Sequence, residues 1–118
     1  INGHLTATSK DSLEILNWTE ALQLSGAEFP YINSIKSMTG HCLSGAGGIE
    51  CVASLLQLYH GFIFPNINCT DLHPEIVAMI GEKSAVQKPI HQDLTVIAKA
   101  NFGFGDVNGC VIFKKYNN

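Results

Sequence analysis

Apolar residues recur at three- and four-residue steps between Ser12 and Leu24: Ile15, Trp18 and Leu22, flanked by Leu16 and Ala21. That spacing predicts one helix face, opened by the capping-box-like Asp11-Ser12-Leu13-Glu14 and stopped by Ser25-Gly26. Ile1–Lys10 has no helical period and reads as a strand end running into a loop. Tyr31–Lys36, partly β-branched and following Pro30, predicts a strand. Gly40, Gly45, Gly47 and Gly48 then interrupt regular structure until about Ala46. Beyond them Ile49, Val52, Ala53, Leu55, Leu56, Leu58 and Tyr59 make a run apolar nearly all round, which predicts a helix buried on most sides. It ends at His60-Gly61, with Gly61 as the residue beyond the last turn. Phe62–Asn68, with Pro65, reads as an extended connection, and Pro74–Ile80 as two helical turns with Pro74 in the first position. Glu82–Asp93 is the most polar stretch and predicts a solvated segment. Leu94–Ala100 and Asn108–Lys115 are β-prone and flank Gly103, Gly105 and Asp106, which predicts an antiparallel hairpin with a glycine-rich tip. Helices alternating with strands point to an α/β domain over residues 1–118, its sheet covered by helices.

Charge sharpens this picture. The 118 residues are 46% hydrophobic and only 14% charged, which argues against disorder and for a piece that leans on more protein. Ten acidic residues against seven Lys and no Arg leave a net charge of −3, so a phosphate-reading nucleic-acid binder is excluded. No run of 18 apolar residues offers a membrane span. The chain opens on Ile1 with no leader pattern, so a fragment, a processed product or a split subunit is expected. Cys42, Cys51, Cys69 and Cys110 form no C-x-x-C pair, which leaves a zinc ribbon without support. Cys51 and Cys110 stand in apolar runs and read as small buried hydrophobes, and all four thiols are expected to be reduced in a cytoplasmic protein.

Three spots combine reactive groups with a turn or glycine. In Gly3-His4-Leu5-Thr6-Ala7-Thr8, a His follows a strand end and two Thr would point to one side of an extended segment, where their hydroxyls could bind an amide-bearing ligand. The alternative is an ordinary polar loop. In Lys36-Ser37-Met38-Thr39-Gly40-His41, a His precedes an apolar helix whose positive end favours a neutral imidazole, able to donate to an oxyanion. Lys36, if buried, needs a partner, and Glu50 is the nearest plausible carboxylate. The alternative is a structural ion pair and a capping His. Gly45-Ala46-Gly47-Gly48 is neither a P-loop nor a dinucleotide fingerprint. In Asn101-Phe102-Gly103-Phe104-Gly105-Asp106-Val107-Asn108, glycines flank two Phe in a turn that could gate a pocket or simply close a hairpin. His60, His73 and His91 have no partners at metal-ligand spacing, and G-x-S-x-G is absent.

In order, these segments, with His60-Gly61-Phe62-Ile63-Phe64-Pro65-Asn66-Ile67-Asn68, resemble the C-terminal half of β-ketoacyl-acyl-carrier-protein synthases, condensing enzymes of the thiolase-like superfamily. The resemblance implies a mixed sheet covered by helices and a Cys-His-His site whose Cys lies in an N-terminal half outside this sequence. It makes His4 and His41 the catalytic imidazoles, Lys36 the active-site Lys paired with Glu50, Thr6 and Thr8 the pantetheine-binding hydroxyls, and Phe102 the gate of the acyl pocket. A His at position 41, where the initiating branch has Asn, places the chain with the elongating branch. It further implies no metal and no cofactor beyond the phosphopantetheine of acyl carrier protein, that carrier as partner, and a homodimeric complete enzyme in fatty acid synthesis. A polyketide-type condensing domain or a non-catalytic chain-length-factor-like subunit are the alternatives. Two departures stand out. The family's His-Gly-Thr-Ser-Thr-Pro reads His4-Leu5-Thr6-Ala7-Thr8-Ser9, and Asp106-Val107 replace Gly-Thr after the Phe-Gly-Phe-Gly turn.

Overall fold

A computed structural model describes residues 1–116; the last two residues of the expected domain lie outside the described ones. Helix α1 spans Asp11–Leu22, α2 Lys36–Thr39, α3 Ala46–His60 and α4 Pro74–Ile80. Strands β1 (Phe62–Ile63) and β2 (Ile90–His91) form a small antiparallel pair. Strands β3 (Val96–Phe102) and β4 (Asn108–Lys114) form the expected hairpin, in register from Val96↔Lys114 to Phe102↔Asn108. Its tip is closed by the Gly103 N–H donating to the Val107 carbonyl at 2.9 Å.

The first three residues extend this hairpin into a mixed sheet. Asn2 bridges in parallel to Lys99 of β3 on one side and to Asn33 on the other, and Ile32 bridges on to Ala85. The predicted strand Tyr31–Lys36 is thus only these two bridging residues, because the chain turns at Ile35 and Lys36 opens α2. The segment predicted to be solvated is likewise pinned in part. Ser84, Ala85 and Val86 are buried, with the Ser84 carbonyl accepting from Ile32 N–H at 2.8 Å and the Val86 carbonyl from Asn66 N–H at 2.7 Å. Backbone hydrogen bonding recruits them despite their polar neighbours.

Alternation along β3 sorts its side chains onto two layers. Ala98 and Ala100 pack with Ile15 and Trp18 of α1, Phe29, Ile32 and Ile80 of α4 in the main core. Lys99 and Asn101 face α3 on the opposite side. Helix α3 ends as its sequence predicts: Gly61 takes a left-handed φ of 66° and donates to the Gln57 carbonyl. A Cβ there would also come within 3.4 Å of the Gln92 carbonyl. Pro74 opens α4, behind His73, whose Nδ1 accepts the Glu75 N–H.

Three expectations are corrected. The buried face of α3 is half polar, with Glu50, Ser54 and Gln57 beside Ala46, Ala53 and Leu58, while Ile49, Val52, Leu55, Leu56 and Tyr59 are exposed. The layer beneath it contributes Asn2, Asn33 and Lys99, so polar residues are needed on the inner side. Cys110 is exposed and Cys51 only half-buried, since the outer faces of β4 and α3 have no covering layer among the described residues. Helix α1 starts without a side-chain cap; Asp11 binds the preceding loop instead. Truncating Ile15, 1% exposed at the centre of the main core, removes packed methyl groups from a site that relaxes incompletely. Ile15→Ala is expected to lower the unfolding free energy by about 2–5 kcal/mol, read as a reduced denaturant midpoint at unchanged slope.

Candidate functional site

The site grows from one carboxylate. Glu50, one turn into α3 and 1% exposed, pairs through Oε1 with the Lys36 ammonium and through Oε2 with the Lys99 ammonium, the latter at 2.7 Å. The Lys36–Glu50 pair matches the sequence expectation. Lys99 was not foreseen, although its place in the β-prone run Leu94–Ala100 put a lysine where a buried side chain belongs. Burial pulls the Lys99 ammonium below its ordinary pKa of 10.5, its hydrogen bond and attraction to Glu50 oppose that pull, and the nearby Lys36 charge adds to it.

Both ammoniums also grip backbone. Lys36 Nζ donates to the His4 carbonyl at 2.7 Å. Lys99 Nζ donates to the Ala100 carbonyl, to the Gly3 carbonyl at 3.4 Å and to Asn101 Oδ1 at 3.2 Å. The other side of the His4 loop is held by α1. Glu14, buried, accepts from the backbone N–H groups of His4 and Leu5 at 2.8 Å each, and from Trp18 Nε1. Asp11 accepts from the N–H groups of Thr6, Ala7 and Thr8. These bonds hold Leu5 and Ala7 at positive φ, 20° and 56°, conformations costly for residues with a Cβ.

The His4 and His41 rings meet edge to face with centroids 5.2 Å apart. The Phe102 ring lies 6.1 Å from His4, while Phe104, at the hairpin tip, is 98% exposed. His41 Nδ1 accepts the Leu43 N–H at 3.0 Å, so the neutral ring carries its proton on Nε2. Thr6 and Thr8 do share a side: their hydroxyl oxygens are 3.2 Å apart, although the segment between them is a left-handed bend and not a strand. Thr6, Lys36 and His41 line a cavity of about 390 Å³ whose deeper wall is Ile15, Ile32 and Ile80. Every residue singled out at the site is therefore within one neighbourhood, with Glu14 and Lys99 added by the structure and Asn101, the first residue of the Phe-Gly-Phe-Gly stretch, given its partners there. Among the described residues no group of three His, Cys, Asp or Glu could hold a metal ion.

Breaking the Glu50 bridge leaves buried ammoniums short of countercharge. Glu50→Gln is expected to destabilise the chain by about 3–5 kcal/mol in denaturant unfolding. Replacing the triad together, with Lys36→Met, Glu50→Leu and Lys99→Met, is expected to restore most of that loss, because none of the three charges then remains buried.

The family model for the C-terminal domain of beta-ketoacyl synthases matches residues 1–70. The 3-oxoacyl-[acyl-carrier-protein] synthase 1 of Escherichia coli strain K12 is 33% identical over 98% of this chain, and that of Haemophilus influenzae 36% identical over 99%. The chain spans only 27% and 28% of these two proteins, about a quarter of their length. Among solved structures, the ketosynthase from module 1 of the bacillaene synthase of Bacillus amyloliquefaciens superimposes with a TM-score of 0.82 at 26% identity, over 99% of this chain and 22% of that one. Matched over more than half its length, and folded like a ketosynthase of the thiolase-like class, the chain belongs to the beta-ketoacyl synthase family as a C-terminal domain.

Proposed function

We propose that this chain supplies the two-imidazole half of a condensing site that joins malonyl-acyl carrier protein to an acyl group held on a Cys elsewhere in the complete protein, in fatty acid synthesis. The observation that carries this reading is the 5.2 Å meeting of His4 and His41, from stretches 37 positions apart in sequence, above the Lys36–Glu50 pair. Loss of carbon dioxide from a malonyl thioester breaks a C–C bond and leaves its electron pair as an enolate. The enolate oxygen needs preorganised donors. His41, with its proton on Nε2, can donate to it, and His4 is the second imidazole at the same spot. The enolate carbon then attacks the acyl thioester on the Cys, which leaves as thiolate; the scheme calls for no metal, nucleotide or redox group. Thr6 and Thr8, beside the cavity mouth, hold the amides of the pantetheine arm, and Phe102 closes the acyl side. The curated relatives are named for acyl carrier protein, which supports the same carrier as partner here. The complete protein is a homodimer in this reading, and it works in the cytoplasm; no helix among the described residues is long and apolar enough to cross a membrane.

The likeness to a bacillaene ketosynthase favours a second reading, in which the same chemistry extends a polyketide. Carrier-protein preference separates the two. In the complete protein, His41→Ala is expected to lower kcat for condensation by about 10²–10³-fold, the effect of losing one oxyanion donor. The 118-residue chain alone is expected to give no turnover with malonyl- and acyl-carrier protein. Unchanged condensation in His41→Ala would instead assign a non-catalytic, chain-length-factor-like role, and turnover by the isolated chain would overturn the dependence on an outside Cys.

A further inference from the structure

We propose that Lys99 and Asn101 are positioning residues that hold the neutral His4 imidazole as its Nδ1–H tautomer, so that His4 presents a lone pair where His41 presents an N–H. The inference deepens the condensing-site reading and rests on it for its chemical meaning, though its geometry stands apart from any reaction.

His4 Nδ1 lies 3.1 Å from Asn101 Oδ1. A carboxamide has one donating and one accepting end, so this contact alone leaves the direction of the bond open. Lys99 closes the question. Its ammonium, a donor with no acceptor atom, sits 3.2 Å from the same Asn101 atom. With the amide turned over, N–H would face ammonium. Lys99 cannot swing aside, because it is 2% exposed and tied to Glu50 Oε2, the Ala100 carbonyl and the Gly3 carbonyl. The amide's other end points at Gly47, in the first turn of α3, where a Cβ would come within 3.0 Å of Asn101 Nδ2 and glycine leaves the space it needs. Asn101 Oδ1 therefore accepts from both sides, and the bond from His4 must be Nδ1–H to oxygen. In a neutral ring Nε2 is then unprotonated.

His41 is held the opposite way, since its Nδ1 accepts the Leu43 N–H and its Nε2 bears the proton. Two rings 5.2 Å apart thus carry opposite hydrogen-bonding polarity. A substrate between them meets one donor and one acceptor. His4 can accept a hydrogen bond from a carrier-arm amide or a water while neutral, and it joins His41 as a donor to an oxyanion only after taking up a proton on Nε2. The roles of the two histidines are therefore unequal: β3 sets the polarity of His4, and the Leu43 N–H sets that of His41.

Two-bond 1H–15N imidazole spectra of the complete protein, with His4 signals assigned by their loss in His4→Gln, read the proton position directly. The expected result is Nδ1–H at His4 and Nε2–H at His41. Asn101→Leu is expected to abolish the Nδ1–H preference at His4, and Asn101→Asp, whose carboxylate only accepts, to retain it. Lys99→Met frees the carboxamide to turn over and is expected to lose the preference too, with the His41 signals unchanged as the check that the fold survives. If Lys99→Met does not fold, the Asn101 pair carries the test alone. An Nε2–H signal at His4 in the unaltered protein, or Asn101→Leu spectra identical to it, would overturn the assignment. Because tautomer is read without turnover, absent condensation with the expected spectra removes only the condensing role, and active condensation with the wrong tautomer removes only this inference.

Discussion

Glu50 is the constraint on which the rest is built. A carboxylate taken out of water at 1% exposure must be compensated, and here one side chain answers two ammoniums from different elements. The triad carries a surplus positive charge, and backbone carbonyls of Gly3, His4 and Ala100 absorb it. Those carbonyls belong to the two segments that carry His4 and Asn101. Charge burial in α3 is thereby converted into the position of the His4 loop. A hydrophobic contact of similar area would stabilise the layers without fixing direction, because only hydrogen bonds specify where a carbonyl must point.

The His4 loop is held from its other side by charge as well. Glu14 and Asp11 of α1 accept five backbone N–H groups from His4 to Thr8. Cations therefore take the carbonyls of this segment while carboxylates take its N–H groups. Such over-determination lets Leu5 and Ala7 sit at positive φ without glycine. It also accounts for the departure from the family's His-Gly-Thr-Ser-Thr pattern: the bend survives Leu at position 5 because its donors are already satisfied in that geometry.

Much of this was legible in the sequence, and the exceptions share a cause. The hairpin, α4 with Pro74 leading, and α3 ending at Gly61 follow from local signals of period and punctuation. Lys36 and Glu50 were pairable because a buried charge demands a partner. Tyr31–Lys36 failed as a strand because β-prone composition does not reveal that the chain turns at Ile35. Lys99 was hidden for the reason that makes it informative: it interrupts Val96-Ile97-Ala98 and Ala100, and period-2 alternation assigns its face but not the carboxylate awaiting it on another helix. Glu14, read as part of a capping box, is in fact spent on the preceding loop. In each case the missing information is tertiary.

Helix α3 shows how far tertiary demand overrides pattern. Its inward face carries Glu50, Ser54 and Gln57, spaced by four and three residues, and meets Lys99, Asn2 and Asn33 of the sheet. Its outward face carries Val52, Leu55, Leu56 and Tyr59, the last 80% exposed. An apolar outer face and an inner one that mixes these polar residues with Ala46, Ala53 and Leu58 depart from the arrangement of a surface helix. The departure is coherent if the helix is judged by what each side must do. The inner face must fix the rotation and height of α3 against the sheet, since a slip of one residue would carry Glu50 away from both lysines. Gln57 adds a second lock two turns on, accepting from Asn33 Nδ2 at 2.7 Å and from Phe64 N–H at 2.9 Å. Polar contacts, unlike greasy ones, tolerate no such slip. The outer face is then free to be apolar, and among the described residues nothing covers it. The helix is thus pinned by chemistry on one side and available for burial on the other, which places the histidine pair near the N-terminal end of an element whose position is set before anything docks against it.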